Sequence, residues 1–478
     1  MPDIAACTTA GLGYRLCGRR EITYDPELMS NQSIVETLSA VLPIHQANRD
    51  EIDYLWNYYK GNTPIFNKIK TVRPELNARI SVNHAYQIVS FNVGYLLGEP
   101  IQYVSRSDDS SVLDGIGQLN AFMFEEDAGS VDVEVAEWFN ICGTAYKIIL
   151  PDGGETEPDS SPFEVYSLDP RNTFVVYSHD VSRRPLFAVS YVKNDRGAIV
   201  YSVYTRDRFY RVTNNEIVEE ADNPCGEIPI IEYPANKARL GAFEIVLSLL
   251  DTINSVESNR EDAIEQFVQA FMVFIGANID AEKLTSLKDQ GALLLPENAD
   301  VKYLVQELNQ TETQTFVNEM YQTILTICGL PNRNGGTSTS DTGSAVIYRD
   351  GWEDAESRAK KVEMLYKKSE KRLLRIALSL CRTLSDGFRD KDIKLSDIEI
   401  RFTRRNYENI QVKSQVLTTM LDNEKIARKL AFEVCGLFPD PDLAYKTSED
   451  QYQEILRKEG ENDAEDDSAS LGNGTGSN

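Results

Sequence analysis

The chain has 478 residues, and its 49 Lys and Arg against 75 Asp and Glu give a formal net charge of −26. A protein that binds DNA tightly neutralises phosphates with an excess of basic residues, so this charge excludes ordinary DNA-binding proteins and disfavours anionic membranes. Apolar residues make up 41% of the chain, which indicates a folded protein of roughly two to four domains.

The first third of the chain is predicted to be helical after an irregular start. Residues 1–33 are weakly patterned, contain no apolar core of a signal peptide, and are expected to form a loose arm. Helical periodicity begins at Ile34 and stops at Gly61-Asn62-Thr63-Pro64. A further helix is predicted over VNHAYQIVSFNVGYLLG, which ends at Gly98.

Residues 143–235 have a different character, with short runs of Val, Ile, Tyr and Phe between turn residues. This pattern predicts an antiparallel β-rich region. The acidic, Pro- and Ser-rich stretch 151–165 is expected to be an exposed loop. The predicted strands are AYKIIL, FEVYSL, TFVVYS, LFAVSYV, AIVYSVYT and RFYRVT.

A long helix is predicted next, because no Pro or Gly lies between Ala242 and Ile275. It would span roughly 30–35 residues and about 50 Å. Residues 275–306 break into short pieces, in which ALLLP and VKYLV are typical of strands. A second helix is predicted over 311–328, and the small and polar residues 332–344 predict a mobile loop.

The C-terminal part begins with a predicted helix over 345–385 that carries a heptad seam. A strand at 398–402, helices at 411–434 and 448–458, and a disordered acidic tail are predicted after it. The seam consists of Trp352, Ala355, Ala359, Val362, Tyr366, Ser369, Leu373, Ile376 and Leu380.

The segment 358–382 has nine basic residues and two acidic ones, a local charge of +7. It is the best local signal for nucleic-acid binding in the chain. In so acidic a protein we favour the alternative, a solvated helix face that pairs with acidic neighbours in its own or an adjacent subunit.

No arrangement of reactive residues predicts an enzyme. Only three histidines occur (His45, His84 and His179), none in a metal-ligand spacing. Ser178-His179-Asp180 are consecutive and cannot adopt triad geometry, so they predict a turn after TFVVYS. The sequence GGTSTSDTGS lacks the lysine of a phosphate-binding loop and follows a helix.

Neither a metal nor a cofactor is expected. The tail acids lack the spacing and glycine of a calcium-binding loop. The cysteines are scattered, form no CxxC pair and are expected to be reduced, in a cytosolic setting. They are Cys7, Cys17, Cys142, Cys225, Cys328, Cys381 and Cys435.

Several segments, in order, resemble the portal proteins of tailed bacteriophages, the head-to-tail connectors of the siphophage type. The resemblance covers roughly residues 50–455, and no single motif is specific. The segments are YYKGNTPI, ISVNHAYQIVSFNVGYLLGEPIQY, CGTAYKIIL, LDPRNTFVVY, GEIPIIEYPANKARLGAFEIVLSLLDTINSVESN, TGSAVIYRDGWEDAESRAKKVE and IEIRFTRRNYEN.

The resemblance implies an α+β portal-type subunit with long stem helices, a β-rich wing, a small clip with short strands and a helical crown. The implied divisions are an N-terminal arm (1–33), the wing (34–239), a stem helix (240–274), the clip (275–306), a second stem helix (307–330), a tunnel loop (331–344), a long wing helix with a returning strand (345–409), the crown (410–460) and the acidic tail (461–478).

The same resemblance implies a ring of twelve subunits at one capsid vertex of the virion, with the protein made in the host cytoplasm. Double-stranded DNA passes through the ring during packaging and ejection. The implied partners are further copies of the chain, the terminase large subunit, the major capsid or scaffolding protein and a head–tail adaptor. No membrane partner is implied.

Two groups of residues are the candidate sites. The DNA-facing tunnel loop comprises Asn332, Arg333, Asn334, Gly335, Gly336, Thr337, Ser338, Thr339 and Ser340. The clip residues Lys283, Lys288, Asp289 and Gln290 are candidates for docking of the terminase or the connector, and the alternative is that the clip charges are those of a solvated loop. Four stem residues are predicted to face the channel or the outer rim: Asp251, Asn254, Glu257 and Asn259.

Two alternatives to a portal stay open at the level of sequence. One is another structural virion or scaffold protein with long helices. The other is a metal-dependent hydrolase that uses carboxylates. A ring with a central hole would favour the portal, whereas a monomer that hydrolyses nucleotide would exclude it.

Overall fold

The computed structural model describes residues 18–29, 33–71, 73–107, 109–152, 160–268, 271–275, 300–304, 310–332, 351–389, 391, 393–404, 410–423, 425–438, 441 and 443–454. These residues form a mixture of helices and sheets, so the predicted α+β class is confirmed.

Several helices match the predictions, and two others, Ser110–Glu125 and Ala128–Cys142, were not individually predicted. The first long one begins where the Ser33 hydroxyl accepts the amide of Glu36 at 3.3 Å, and it ends before Gly61, whose φ is +88°. The helices are α1 (Pro26–Met29), α2 (Ile34–Tyr59), α3 (His84–Leu96), α4 (Ser110–Glu125), α5 (Ala128–Cys142), α6 (Leu247–Val268), α7 (Gln310–Cys328), α8 (Trp352–Leu384), α9 (Asp386–Arg389), α10 (Ile410–Leu421), α11 (Arg428–Cys435) and α12 (443–454).

The strands confirm all six predicted β runs and add others. They are β1 (Ile22–Tyr24), β2 (Gln102–Ser105), β3 (Thr144–Pro151), β4 (Phe163–Leu168), β5 (Thr173–Ser178), β6 (Pro185–Lys193), β7 (Ile199–Thr205), β8 (Arg208–Thr213), β9 (Glu216–Asp222), β10 (Ile230–Pro234), β11 (Phe271–Ile275), β12 (Asp300–Leu304) and β13 (Ile398–Arg401).

The chain divides into two compact units. The first contains the described residues of 18–94, 122–332 and 351–389, and the second contains those of 95–121 and 391–454. In the first unit the strands form a six-stranded sheet in the order β1-β5-β6-β7-β8-β9 and a three-stranded sheet in the order β10-β3-β4.

The six-stranded sheet changes from buried to exposed across its width. Every residue of β5 is buried, because apolar side chains cover both of its faces, whereas every residue of β9 is exposed. Along β9 the acidic side chains pair across the strands with arginines of β8, such as Arg211 with Glu219 at 2.5 Å. The sheet therefore has a charged edge strand, which opposes edge-to-edge aggregation.

The expectation of a loose arm is wrong for the end of that segment. Ile22 is 3% exposed and pairs in parallel with Val176 of β5. Arg19 is also buried, and its guanidinium contacts Glu244 at 2.7 Å. Weak sequence patterning does not reveal this strand, because three residues suffice to extend a sheet that already exists.

Helices α2, α3, α6 and α7 surround an apolar cluster of the first unit. The aromatic rings of Tyr58 and Phe243 stack within it at 5.8 Å. Its most deeply buried members include Leu55, Tyr58, Ile88, Phe243, Val246, Leu250, Ile253 and Ile324.

Helix α8 buries the predicted seam, with Trp352 and Val362 only half-buried. Residues 345–350 of the predicted helix lie outside the described residues. The basic side chains are mostly exposed, and two pair along the helix: Lys360 with Glu356 at 3.6 Å, and Lys367 with Glu363 at 2.6 Å. This agrees with the favoured interpretation of a solvated helix face.

In the second unit, β2 and β13 pair antiparallel, which confirms the predicted strand at 398–402. The single helix predicted over 411–434 is wrong, because α10 and α11 are separate. The break contains Asn423, whose side chain accepts the amide of Lys425 at 3.1 Å and so competes with helical hydrogen bonds. The helix predicted at 448–458 begins earlier, at residue 443.

Candidate functional site

Helices α6 and α7 form an antiparallel hairpin. At one end the thiol of Cys328 donates to the carbonyl of Ala242 at 3.6 Å. At the other end Arg260 donates from Nε to Oε1 of Gln310 at 2.6 Å, where α7 begins. Between these contacts Ile253 and Ile324 are buried in one cluster. The hairpin is therefore fixed at both ends and apolar between them.

A two-stranded antiparallel sheet, β11 with β12, follows the far end of this hairpin. The single helix predicted over 240–274 is wrong here, since a short 3-10 turn precedes α6 and Phe271–Ile275 is a strand that pairs with Asp300–Leu304. The five residues are aromatic or β-branched except Met272, and such residues favour strands. Helical periodicity alone does not reveal this, because Phe267 and Phe271 are also four residues apart. The predicted strand VKYLV is confirmed by β12.

An extended segment, residues 78–82, lies along α6, and we call it the strap. Three alternate backbone amides of the strap donate to three side chains of α6 spaced four residues apart. Ala78 donates to Asp262 at 2.6 Å, Ile80 to Ser258 at 2.9 Å and Val82 to Asn254 at 2.8 Å.

The spacing of alternate amides along the strap matches the spacing of every fourth side chain along α6. Four helical residues rise about 6 Å, and two residues of an extended chain span about 6.6 Å. Asn254, Ser258 and Asp262 are almost fully buried, and the strap amides satisfy acceptors that would otherwise lose their hydrogen bonds to water.

Two lysines fasten the chain just before the strap. The ammonium groups of Lys68 and Lys70 lie 2.8 Å and 2.5 Å from the same carboxylate oxygen of Asp262. Desolvation opposes the charged form of Asp262, but the hydrogen bonds from Lys68, Lys70 and Ala78 outweigh it and lower its pKa to about 2. Asp262 is therefore a carboxylate at neutral pH.

The strap revises the interpretation of the four polar stem residues. Asn254 is buried against the strap, and Asp251 accepts from the hydroxyl of Tyr58 at 2.9 Å, so neither is available to line a channel. Burial raises the pKa of Asp251, although the hydrogen bond from Tyr58 opposes the shift. Glu257 lies 3.7 Å from Arg260, and Asn259 is exposed.

A second polar cluster holds α8 against the three-stranded sheet. The ammonium of Lys147, on β3, pairs with Asp132 of α5 and lies 3.1 Å from Glu370 of α8. The hydroxyl of Tyr366 donates to Asp132 and that of Tyr233 to Glu370, both at 2.7 Å. The side chains of Lys147, Asp132 and Glu370 are all buried.

This cluster contains two carboxyl groups and one ammonium, so its charges do not balance when all are ionised. Desolvation raises the pKa of Asp132 to about 6, although the charge of Lys147 opposes the shift. The heptad seam predicted Tyr366 and Ser369 as buried, but nothing in it indicated that Glu370 is buried beside them.

The structure places one of the predicted tunnel-loop residues. Asn332 follows α7, and its side chain exchanges hydrogen bonds with Gln322, one of them at 3.3 Å. Gly329, with φ +62°, ends α7 as predicted. The other tunnel-loop residues, 333–340, and the clip residues Lys283, Lys288, Asp289 and Gln290 lie outside the described residues.

Of the motifs that lie within the described residues, Ser178-His179-Asp180 forms a turn. The Ser178 hydroxyl donates to Asp180 at 2.9 Å within a turn after β5, which confirms the prediction of a turn. Within the described ranges, no group of three or more His, Cys, Asp or Glu is arranged to hold a metal ion. The described helices include none with the length and hydropathy required to span a membrane.

Comparison with family models identifies one that matches residues 38–466, described as "Phage portal protein, SPP1 Gp6-like". The chain belongs to this phage portal family. It is therefore a structural protein of phage particles rather than an enzyme. Comparison with the curated proteins gives no match.

Two solved structures illustrate the likeness. One is the neck of a native GTA particle computed with C12 symmetry, with a TM-score of 0.45 and 12% identity over 82% of this chain and 94% of that one. The other is the neck of an empty GTA particle computed with C6 symmetry, with a TM-score of 0.46, 12% identity and the same coverage.

Proposed function

We propose that this chain is the portal subunit of a tailed phage, which forms a ring around a channel at one capsid vertex. Double-stranded DNA enters through the ring during packaging and leaves during ejection. The observation that carries the proposal is the α6–α7 hairpin, closed by β11 and β12, in a chain that matches the portal family along nearly its whole length.

In this proposal α6 and α7 are the stem helices, and β11 and β12 belong to the clip. The terminase motor, and later the head–tail connector proteins, dock on the clip at Lys283, Lys288, Asp289 and Gln290. The sheets of residues 143–235 with α8 form the wing, and residues 410–460 form the crown. Twelve copies make the ring, as the family resemblance implies.

The charge of the hairpin supports a conduit that repels the duplex. The exposed acidic residues of α6 and α7 are Glu261, Glu265, Glu312 and Glu319. The two helices contain one basic residue, Arg260. A wall of this sign opposes adhesion of phosphates. Translocation requires weak contact, since each clamped phosphate adds affinity that must be broken again.

The tunnel loop would then touch the moving DNA without holding it. Arg333 and Asp341 are its only charged residues, and its Gly, Ser and Thr content permits close approach. We expect Gly335→Pro to block DNA packaging while rings still assemble, because proline restricts the backbone of the loop. The matched control is Gly474→Pro in the tail.

The test measures packaged DNA in particles that carry each variant, together with ring assembly by negative-stain microscopy. Normal packaging by Gly335→Pro would refute the role of the loop. If the purified wild-type chain forms no ring under any condition, the portal function itself fails.

A further inference from the structure

We propose that the loop 66–79 of one copy docks on α7 of the neighbouring copy. The docking surface is the outward face of α7, which carries Phe316, Glu319 and Ile327. The inference rests on the proposed ring. A head-to-tail ring requires two different surfaces on each subunit that fit one another. The loop and α7 provide two such surfaces, one basic and apolar, the other acidic and apolar.

The loop exposes apolar side chains that a solvated loop does not need. Ile69 is 82% exposed and Phe66 is 44% exposed. Arg79 is exposed at the end of the loop. Residues 64–82 contain four basic residues and one acidic residue, a net charge of +3 in a chain of −26.

The described residues near the two ends of the loop are already held within the subunit. Lys68 and Lys70 both contact Asp262, and the strap, whose first residues are the last residues of the loop, is bonded to α6 at three positions. A fixed loop loses little conformational entropy on docking, which favours association.

The outward face of α7 has the complementary character. Phe316 and Ile327 are 47% and 48% exposed, and Glu319 is exposed between them. Steps of three and four residues place these side chains along one side of the helix. Val317 and Ile324 are buried on a neighbouring side, about a quarter turn around the helix from Phe316.

The two surfaces belong to different sides of the subunit. Ser258 holds the strap, whereas Arg260 bonds to Gln310 and Gln314 of α7. The two residues are separated by about 200° around α6. The strap and α7 therefore flank α6 on opposite sides, as a head-to-tail contact between copies requires.

The test is a disulfide crosslink between copies of the full chain. With Ile69→Cys and Phe316→Cys in the same chain, oxidation should produce a ladder of covalent multimers on a denaturing gel. The matched control combines Phe316→Cys with Val181→Cys, which is fully exposed on the turn after β5. The control should give no ladder, and both variants carry the same native cysteines, of which the five described ones are buried in this structure.

The outcomes separate this inference from the proposed function. A ladder specific to the 69/316 pair supports the contact. Rings in the microscope without that ladder would overturn the contact and leave the portal function intact. Absence of any ring in the wild-type chain would overturn both.

A charge reversal tests, independently of the crosslink, whether Arg79 of one copy pairs with Glu319 of the next. Arg79→Glu should raise the concentration needed for assembly about tenfold, because it places like charges across the contact. Adding Glu319→Arg should recover most of the loss. Assembly of Arg79→Glu at the wild-type concentration, or no recovery in the double variant, would contradict the proposed pairing.

Discussion

Helices α6 and α8 both have polar residues on a buried face, but the two helices are held by different chemistry. Helix α8 is held by Glu370 through the buried ammonium of Lys147. Helix α6 is held by three backbone amides of the strap, distributed over Asn254, Ser258 and Asp262.

The difference predicts how each attachment fails. A buried ion cluster depends on every member, since removal of one partner leaves an uncompensated charge in the interior. A ladder of separate hydrogen bonds loses about one contact at a time. Helix α8 should therefore detach in one step, and α6 should loosen gradually.

The largest expected effect follows removal of the central charge of the α8 cluster. Lys147→Met should lower the free energy of unfolding by about 3–5 kcal/mol, because Asp132 and Glu370 remain buried without a cation. Urea unfolding followed by circular dichroism measures it. The control is Lys360→Met, which removes the lysine of an exposed ion pair on α8. It should lower the free energy of unfolding by less than about 0.5 kcal/mol. Equal losses would contradict a special role for the buried cluster.

The next largest loss of stability is expected at Asp262, which holds the first residue of the strap. Asp262→Asn removes the carboxylate that Lys68, Lys70 and Ala78 share, at a cost of about 1–3 kcal/mol. Hydrogen exchange read by mass spectrometry should show faster exchange in peptides that cover residues 74–83. Glu261→Gln, at the exposed neighbouring position, is the control. Unchanged exchange in the Asp262 variant would show that the strap does not depend on this residue.

A smaller loss of stability is expected when one hydrogen bond between the strap and α6 is removed. Ser258→Ala removes the acceptor of the Ile80 amide and should cost about 1 kcal/mol. Ser255→Ala, exposed on the same helix, should be close to neutral. If the loss at Ser258 reached that of Lys147→Met, the attachment of α6 would also be all-or-none.

The smallest effect is a dependence on pH. The pKa of Asp132 is raised to about 6 by burial, so this residue binds its proton more tightly in the folded state. Its contribution to stability is present below about pH 4 and is lost as the pH rises through about 6. Melting temperatures of wild type and Asp132→Asn, measured from pH 4 to pH 7.5, should therefore diverge in favour of the variant as the pH rises. A constant difference would contradict the raised pKa.

Much of the fold follows from the sequence because its signals are local. The six β runs, the end of α7 at Gly329 and the seam of α8 depend on alternation, turn residues and heptad spacing. Periodicity predicts a helix at Phe271–Ile275, because it does not register pairing with a strand that lies 25 residues further on.

The attachments of α6 and α8 could not be predicted, since they depend on contacts distant in sequence. Ser258 meets Ile80 and Lys147 meets Glu370 across 178 and 223 residues. One signal was available: Asn254, Ser258 and Asp262 repeat every four residues on a helix that is otherwise apolar at its buried positions. Such a polar stripe indicates a hydrogen-bonded partner, and a channel is only one of its explanations.

The most direct test of the portal function is an electron microscopy reconstruction of the purified full-length chain. The account predicts a closed ring with a central hole wide enough for duplex DNA, and with the α6–α7 hairpins of all copies arranged around that hole. A monomer, a closed dimer, or a ring whose hairpins lie at its outer edge would contradict it.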